Sequence, residues 1–213
     1  MKQGGMRCLL PWRSVALLFE KPSLRTRVSF ELAVTQLGGH CLYLSPQEVG
    51  LGQREPVPDV ARVLSRYVDC IVARVFKHET LTALASAASI SVINALSDFE
   101  HPCQALADFL TIREHKGRLK GVRLAYVGDG NNVARSLAFL AAIMGVDFAI
   151  ASPFAFALDA DSLRRTRELA VSSGSVISVS TDPVEAVRNA DVVYTDTWTS
   201  MGQEKEAPMR REA

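Results

Sequence analysis

The sequence predicts an α/β fold of two domains, each a parallel sheet flanked by helices. Three observations predict it. Short apolar runs alternate with helical patterns along the whole chain, the order that gives parallel sheets covered by helices. The runs are continuously apolar, as strands buried on both faces require. A polar pause, Lys116-Gly-Arg-Leu-Lys-Gly121, separates one series of such units from a second and divides the chain into 1–116 and 117–213.

Residues 15–19 read as a short buried strand, broken by Pro22 and Ser23. Ser23 is a good helix N-cap, and Phe30, Ala33, Val34 and Leu37 follow at i, i+3, i+4 and i+7. Gly38 and Gly39 close that helix. Residues 41–44 are a short strand, and 45–58, rich in Gly and Pro, read as a mobile loop. The next helix places Val60, Val63, Leu64 and Tyr67 on one face. Residues 70–74 form a strand ending on Arg74, followed by an alanine-rich helix at 80–88, a strand at 91–94 and a loop at 95–100. A helix with Leu106, Phe109 and Leu110 apolar runs from His101 and is the expected hinge between domains. The second series has strands at 123–127, 148–151, 176–179 and 192–195, with 192–195 expected beside 123–127. Its helices are expected at 133–144, 161–172 and 183–189, the first entered through a tight turn at 128–132 and capped by Gly145.

The totals exclude several classes. A net charge of +1 gives no electrostatic argument for a nucleic-acid or membrane partner. Hydrophobic content of 48% and charged content of 22% over 213 residues are ordinary for a soluble globular protein. No apolar run reaches the ~18 residues of a membrane span. The opening residues do not read as a secretory signal. Cys8, Cys41, Cys70 and Cys103 are widely spaced and read as reduced core thiols of a cytoplasmic protein, without a disulfide frame or zinc site.

Five places can carry chemistry. Ser23, Arg25, Thr26 and Arg27 sit where a strand turns into a helix. Free N–H groups and the positive end of the macrodipole point out of such a start. With two hydroxyls, two guanidiniums and Lys21 nearby, the stretch reads either as a phosphate site or as a capped helix with solvated arginines. Arg74 at its strand end is either a ligand group or a surface ion pair. His101 and Gln104, at i and i+3, can meet one small ligand or be incidental polar residues at a helix start. Gly128-Asp-Gly-Asn-Asn-Val133 has Val133 where a dinucleotide loop needs its third glycine, and the next strand ends in Ala151-Ser152 with no acidic residue for a ribose. Its asparagines either cap the helix or bind a polar ligand. Asp196 follows the last strand and either binds an amine or caps what comes next.

The joint order of these places is more specific than any one of them. FEKPSLRTR, Arg74, HPCQ, GDGNNVA and DTWTSMG occur in the order found in ornithine carbamoyltransferases, and DVARVLSRYVD and INALSDFEHPCQALADFLTI are also similar to that family. The sequence therefore resembles the aspartate/ornithine carbamoyltransferase family over nearly its whole length. SMG with GDGNN points to the ornithine branch.

The resemblance implies transfer of a carbamoyl group from carbamoyl phosphate to the side-chain amine of L-ornithine, giving citrulline and phosphate. It implies a carbamoyl phosphate-binding domain at 1–116 and an ornithine-binding domain, incomplete, at 117–213. Ser23, Arg25, Thr26, Arg74, His101 and Gln104 match the carbamoyl phosphate positions, with Gln104 on the carbamoyl amide. Asn132, Asp196, Ser200 and Met201 match the ornithine positions. Arg25, Arg74, His101 and Asp196 carry the catalytic roles. The chemistry needs no protein nucleophile, metal or cofactor, only positioning and groups aimed at developing charge. A cytoplasmic, trimer-based homo-oligomer in arginine metabolism is implied as well.

Two departures accompany the match. Gly50 stands where the family's inter-subunit loop supplies Gln or His, with Gln53 nearby, and the chain ends before the family's HCLP-type motif. The expectation is a truncated member. The rival expectations are a carbamoyltransferase for putrescine or an acylated ornithine, and a non-catalytic fragment retaining the phosphate site.

Overall fold

A computed structural model of the chain describes residues 8–198. These divide into two compact units, one running to Glu100 and the other starting at His101.

The first unit holds β1 (Ser14–Phe19), α1 (Leu24–Gln36), β2 (His40–Leu44), α2 (Pro46–Val49), α3 (Val57–Leu64), β3 (Cys70–Arg74), α4 (His78–Ala87) and β4 (Ser91–Leu96). Its four strands are parallel in the order β2-β1-β3-β4. The pleat explains the continuous apolar run of β1. Val15, Leu17 and Phe19 pack on one face with Val34 of α1, while Ala16 and Leu18 pack on the other with Ala61 of α3 and Leu81 and Leu84 of α4.

Two expectations are corrected here. The stretch 45–58 is not all loop, because Ser45 and Glu48 form a capping box with Pro46 in the first turn of α2. The buried face of α3 is Val60 and Ala61, whereas Val63 and Tyr67 are exposed. Periodicity aligned these residues, but the sheet accepts a face rotated by about one position.

The second unit holds α5 (Pro102–Lys116), β5 (Arg123–Val127), α6 (Asn132–Met144), β6 (Asp147–Ala151), α7 (Ala160–Ser173), β7 (Ile177–Ser180), α8 (Pro183–Val187) and β8 (Val192–Tyr194). Its parallel order is β7-β6-β5-β8, so β8 does lie beside β5. Ala105, Phe109 and Ile112 of α5 share one core with Leu124, Tyr126, Leu137, Phe148 and Ile150. That packing places α5 in this unit; of the three apolar residues read on it, Phe109 is buried whereas Leu106 and Leu110 are exposed.

The thiols are less buried than expected. Cys8 is exposed and Cys41, Cys70 and Cys103 are half-buried, with no disulfide among the described residues. Among the described residues, no helix is long and apolar enough to cross a membrane.

Candidate active site

In the first unit the site residues gather where β1 and β3 end. Phe19 pairs with Arg74 in parallel register, and the amides of Glu20 and Lys21 both donate to the Arg74 carbonyl, at 2.9 and 3.4 Å. The chain then turns into α1, whose N-cap is Ser23. Its hydroxyl accepts from the Thr26 amide at 3.4 Å and donates to Thr26 Oγ1 at 3.0 Å. The β3–β4 register shifts between Ala73 and Arg74, an irregularity that re-aims the last side chain of a strand. Arg74 Nη1 donates to Thr26 Oγ1 at 3.2 Å.

The electrostatics of this corner are unusual for an apparently ordinary helix start. Arg74 is only 8% exposed, and its Nε is buried without a hydrogen-bond partner. Burial pushes its guanidinium pKa down, and the nearby Arg25 charge pushes it the same way. Arg25 itself is exposed. Arg27 is turned elsewhere: its Nε donates to Glu31 at 2.8 Å, and its guanidinium lies 3.9 Å from the Tyr43 ring centroid. Two cations therefore lie near one another at a helix N-terminus, and neither forms a salt bridge with a carboxylate among the described residues. An arrangement of this kind suits an anion. Gly50 and Gln53 line a different space, a cavity of about 340 Å³ shared with Leu18, Glu20, Val49 and Phe76.

In the second unit the residues gather at the ends of β5 and β8 and the start of α5. His101 precedes α5, and its amide donates to Ser136 Oγ at 2.9 Å. One turn on, Gln104 Nε2 donates to Asp108 Oδ1 at 2.9 Å. Asn131 caps α6, its Oδ1 accepting from the amides of Val133 and Ala134 at 2.9 and 3.0 Å. Asn131 Nδ2 donates to Asp196 Oδ2 at 3.2 Å. Asn132, the matched asparagine, is the first residue of α6. Ser200 and Met201 lie outside the described residues.

Asn131, one of the two asparagines read as a helix cap or a ligand group, does cap α6 and also holds Asp196. Two residues that the sequence reading passed over, Asp108 and Tyr194, belong to the same cluster. Asp108 is half-buried, and burial raises its pKa; Gln104 and the nearby Tyr194 hydroxyl oppose that rise, while Asp196 adds to it. Tyr194 stacks on Tyr126 with centroids 5.8 Å apart, and burial, reinforced by the surrounding carboxylates, keeps both phenols protonated far above neutral pH. The only sequence signal for Asp108 was its i+4 spacing from Gln104. Tyr194 read as an ordinary strand residue.

The carbamoyl-P binding domain of aspartate/ornithine carbamoyltransferases matches residues 1–114, and the Asp/Orn binding domain matches 120–213. The chain belongs to the aspartate/ornithine carbamoyltransferase family. Family members similar to it include the ornithine carbamoyltransferase of Pyrococcus abyssi, 52% identical over 210 residues, a match covering 99% of this chain and 66% of that protein. That of Acidothermus cellulolyticus is 56% identical over 201 residues, covering 94% of this chain and 64% of its own length. Among solved members, the Pyrococcus furiosus ornithine carbamoyltransferase superposes with a TM-score of 0.93 at 51% identity, covering 97% of this chain and 66% of its own. An acetylornithine transcarbamylase complexed with acetylcitrulline superposes with a TM-score of 0.87 at 32% identity, covering 99% and 73%. The chain thus spans about two thirds of the length of the ornithine carbamoyltransferases it matches.

Proposed function

We propose that this protein transfers the carbamoyl group of carbamoyl phosphate to the side-chain amine of L-ornithine, releasing citrulline and phosphate. The observation that carries the reading is the corner where buried Arg74 and exposed Arg25 converge on the Ser23 N-cap and Thr26. A buried cation with a second cation beside it favours a multiply charged anion, and the phosphate of an acyl phosphate satisfies guanidiniums, hydroxyls and helix N–H groups at once.

Ser23, Arg25, Thr26 and Arg74 hold the phosphate in this reading, His101 the carbonyl oxygen, and Gln104 the carbamoyl amide. Asn132, Asp196, Ser200 and Met201 hold ornithine, with Asp196 orienting the amine. The neutral amine attacks the carbonyl carbon and a C–N bond forms while charge builds on the carbonyl oxygen. The C–O bond to phosphate then breaks, phosphate leaves with the electron pair, and the amine proton passes to solvent. Arg74 and His101 stabilise the developing negative charge, and the guanidiniums make phosphate a better leaving group. Cytoplasmic location and a trimer-based homo-oligomer belong to the same proposal.

The higher identity to ornithine than to acetylornithine enzymes supports ornithine as the acceptor. The test is citrulline formation from carbamoyl phosphate with L-ornithine, run beside putrescine and N-acetyl-L-ornithine. Product with L-ornithine alone is expected. Faster carbamoylation of either other amine would replace the acceptor, and absence of any carbamoyl phosphate binding would overturn the reading.

A further inference from the structure

Gln104 is the group assigned to the carbamoyl amide, yet a carboxamide has two different ends, and nothing in its own chemistry decides which one meets the ligand. Presenting Nε2 would favour an acceptor on the substrate, and presenting Oε1 would favour a donor.

In this structure the choice is made by Asp108. One helical turn along α5, it receives Gln104 Nε2 on Oδ1 at 2.9 Å. An ionised carboxylate only accepts, so it binds the NH₂ end and turns the carbonyl end away. Among the described residues Gln104 makes no side-chain bond besides this one, and the other carboxylate oxygen, Asp108 Oδ2, is buried without a hydrogen-bond partner. The pair is half-buried, so water competes less for the bond than on an exposed helix. The Tyr194 hydroxyl also lies close to the carboxylate.

We propose that Asp108 is a positioning residue that fixes the Gln104 carboxamide with Oε1 outward, so that the site reads an N–H donor on the carbon of its acyl phosphate. The inference rests on the reading of Gln104 as the carbamoyl contact. It assigns the preference for carbamoyl phosphate over acetyl phosphate, which carries a methyl group in place of NH₂, to a residue that does not touch the substrate.

The experiment is calorimetric binding of carbamoyl phosphate, acetyl phosphate and inorganic phosphate to the whole chain and to its variants. Asp108→Ala should weaken carbamoyl phosphate binding about three- to tenfold, a hydrogen bond's worth, and leave acetyl phosphate and phosphate unchanged. Asp108→Glu keeps an acceptor-only group and should restore part of the preference. Gln104→Ala should show the same loss, and Asp108→Ala added to it should cost nothing more. A merely structural role would weaken all three ligands together, and that result would overturn the proposal, as would a preference intact in Asp108→Ala or additive losses in the double variant. Wild-type protein that binds phosphate but does not prefer carbamoyl over acetyl phosphate would overturn the function reading as well. If Asp108→Ala fails to fold, Asp108→Ser decides the same ratio.

Discussion

Asn131 is bonded at both ends of its carboxamide: Oδ1 caps α6, and Nδ2 holds Asp196 at 3.2 Å. One side chain thus ties the start of a helix to the carboxylate assigned to the amine, and the two duties can be separated by substitution. Serine caps helices about as well as asparagine but has no Nδ2 to reach Asp196. Asn131→Ser should melt close to wild type, while Asn131→Ala should lose about 1 kcal/mol of stability with the cap. Both should impair ornithine binding in the presence of carbamoyl phosphate by about tenfold. Melting curves beside ornithine titrations check this, and wild-type ornithine affinity in Asn131→Ser would show that Asp196 needs no such support.

Arg74 should act on binding and stability in opposite directions. Without an anion it is a buried cation with an unmet Nε and a second cation nearby. Burying charge without a partner is costly, so Arg74→Met should raise the melting temperature of the ligand-free protein or leave it unchanged. The same change should abolish the rise that saturating phosphate gives the wild type by binding the native state. Arg25→Ala, at an exposed position, should leave the ligand-free melt alone and weaken carbamoyl phosphate about ten- to hundredfold. A ligand-free Arg74→Met protein that melts far below wild type would show that this guanidinium is structural.

The first unit's candidate site was legible where the structure around it is local. Ser23 could be read as a cap because a strand stops at Pro22 and a helical pattern starts after it. The strand-ending place of Arg74 was legible too, but its bond to Thr26 follows from the pairing of β1 with β3, which no window of sequence contains. Asp108 escaped in part for the same reason: its i+4 spacing from Gln104 is local, but its burial beside Tyr194 and Asp196 is not, and on its helix it looks like one polar residue among several. The short helix α2 was hidden because its Ser-Pro-x-Glu start sits in a stretch whose glycines and prolines read as loop.

Asp159 should make the second unit acid-sensitive. It caps α7, accepting from the Ser162 amide and hydroxyl at 2.8 and 2.7 Å and from Arg135 at 2.9 Å. Burial alone would raise its pKa, but these donors outweigh that and hold it at about 2, against 3.8 for a free side chain. A depressed carboxylate contributes stability that is fully present above the unfolded value and lost as pH falls through the folded one. The loss should therefore run from about pH 4 down to about pH 2. Because the Asp159 side chain is 48% exposed, screening limits the contribution to about 1 kcal/mol. Asp159→Asn should destabilise at neutral pH and flatten this part of the profile. Denaturant midpoints measured across the range check it, and a variant profile parallel to wild type would reassign the acid loss to other groups.

Gly130 decides whether the turn before α6 can exist. A Cβ there would run into Leu158 N and lie 2.6 Å from Ala157 C, both backbone atoms that cannot swing aside. The Gly130 amide also donates to the Phe156 carbonyl at 2.7 Å, so the turn is held against the segment that follows β6. The glycine therefore serves close packing of backbone on backbone, a role distinct from admitting a pyrophosphate. Val133, in the place of a third dinucleotide glycine, is buried in the core of the unit. Two outcomes follow. Gly130→Ala should cost about 3 kcal/mol, at the upper end of overpacking, and should displace Asn131 and with it Asp196. Wild-type protein should give no saturable binding of NAD or ATP, since Val133 stands in place of the third glycine and β6 ends in Ala151-Ser152 without an acidic residue. Thermal melts and nucleotide titrations check the pair. Saturable nucleotide binding that disappears in Gly130→Ala would make the turn a phosphate cradle after all, whereas a wild-type melt in Gly130→Ala would mean that the segment at Ala157 yields easily and does not fix the position of Asp196.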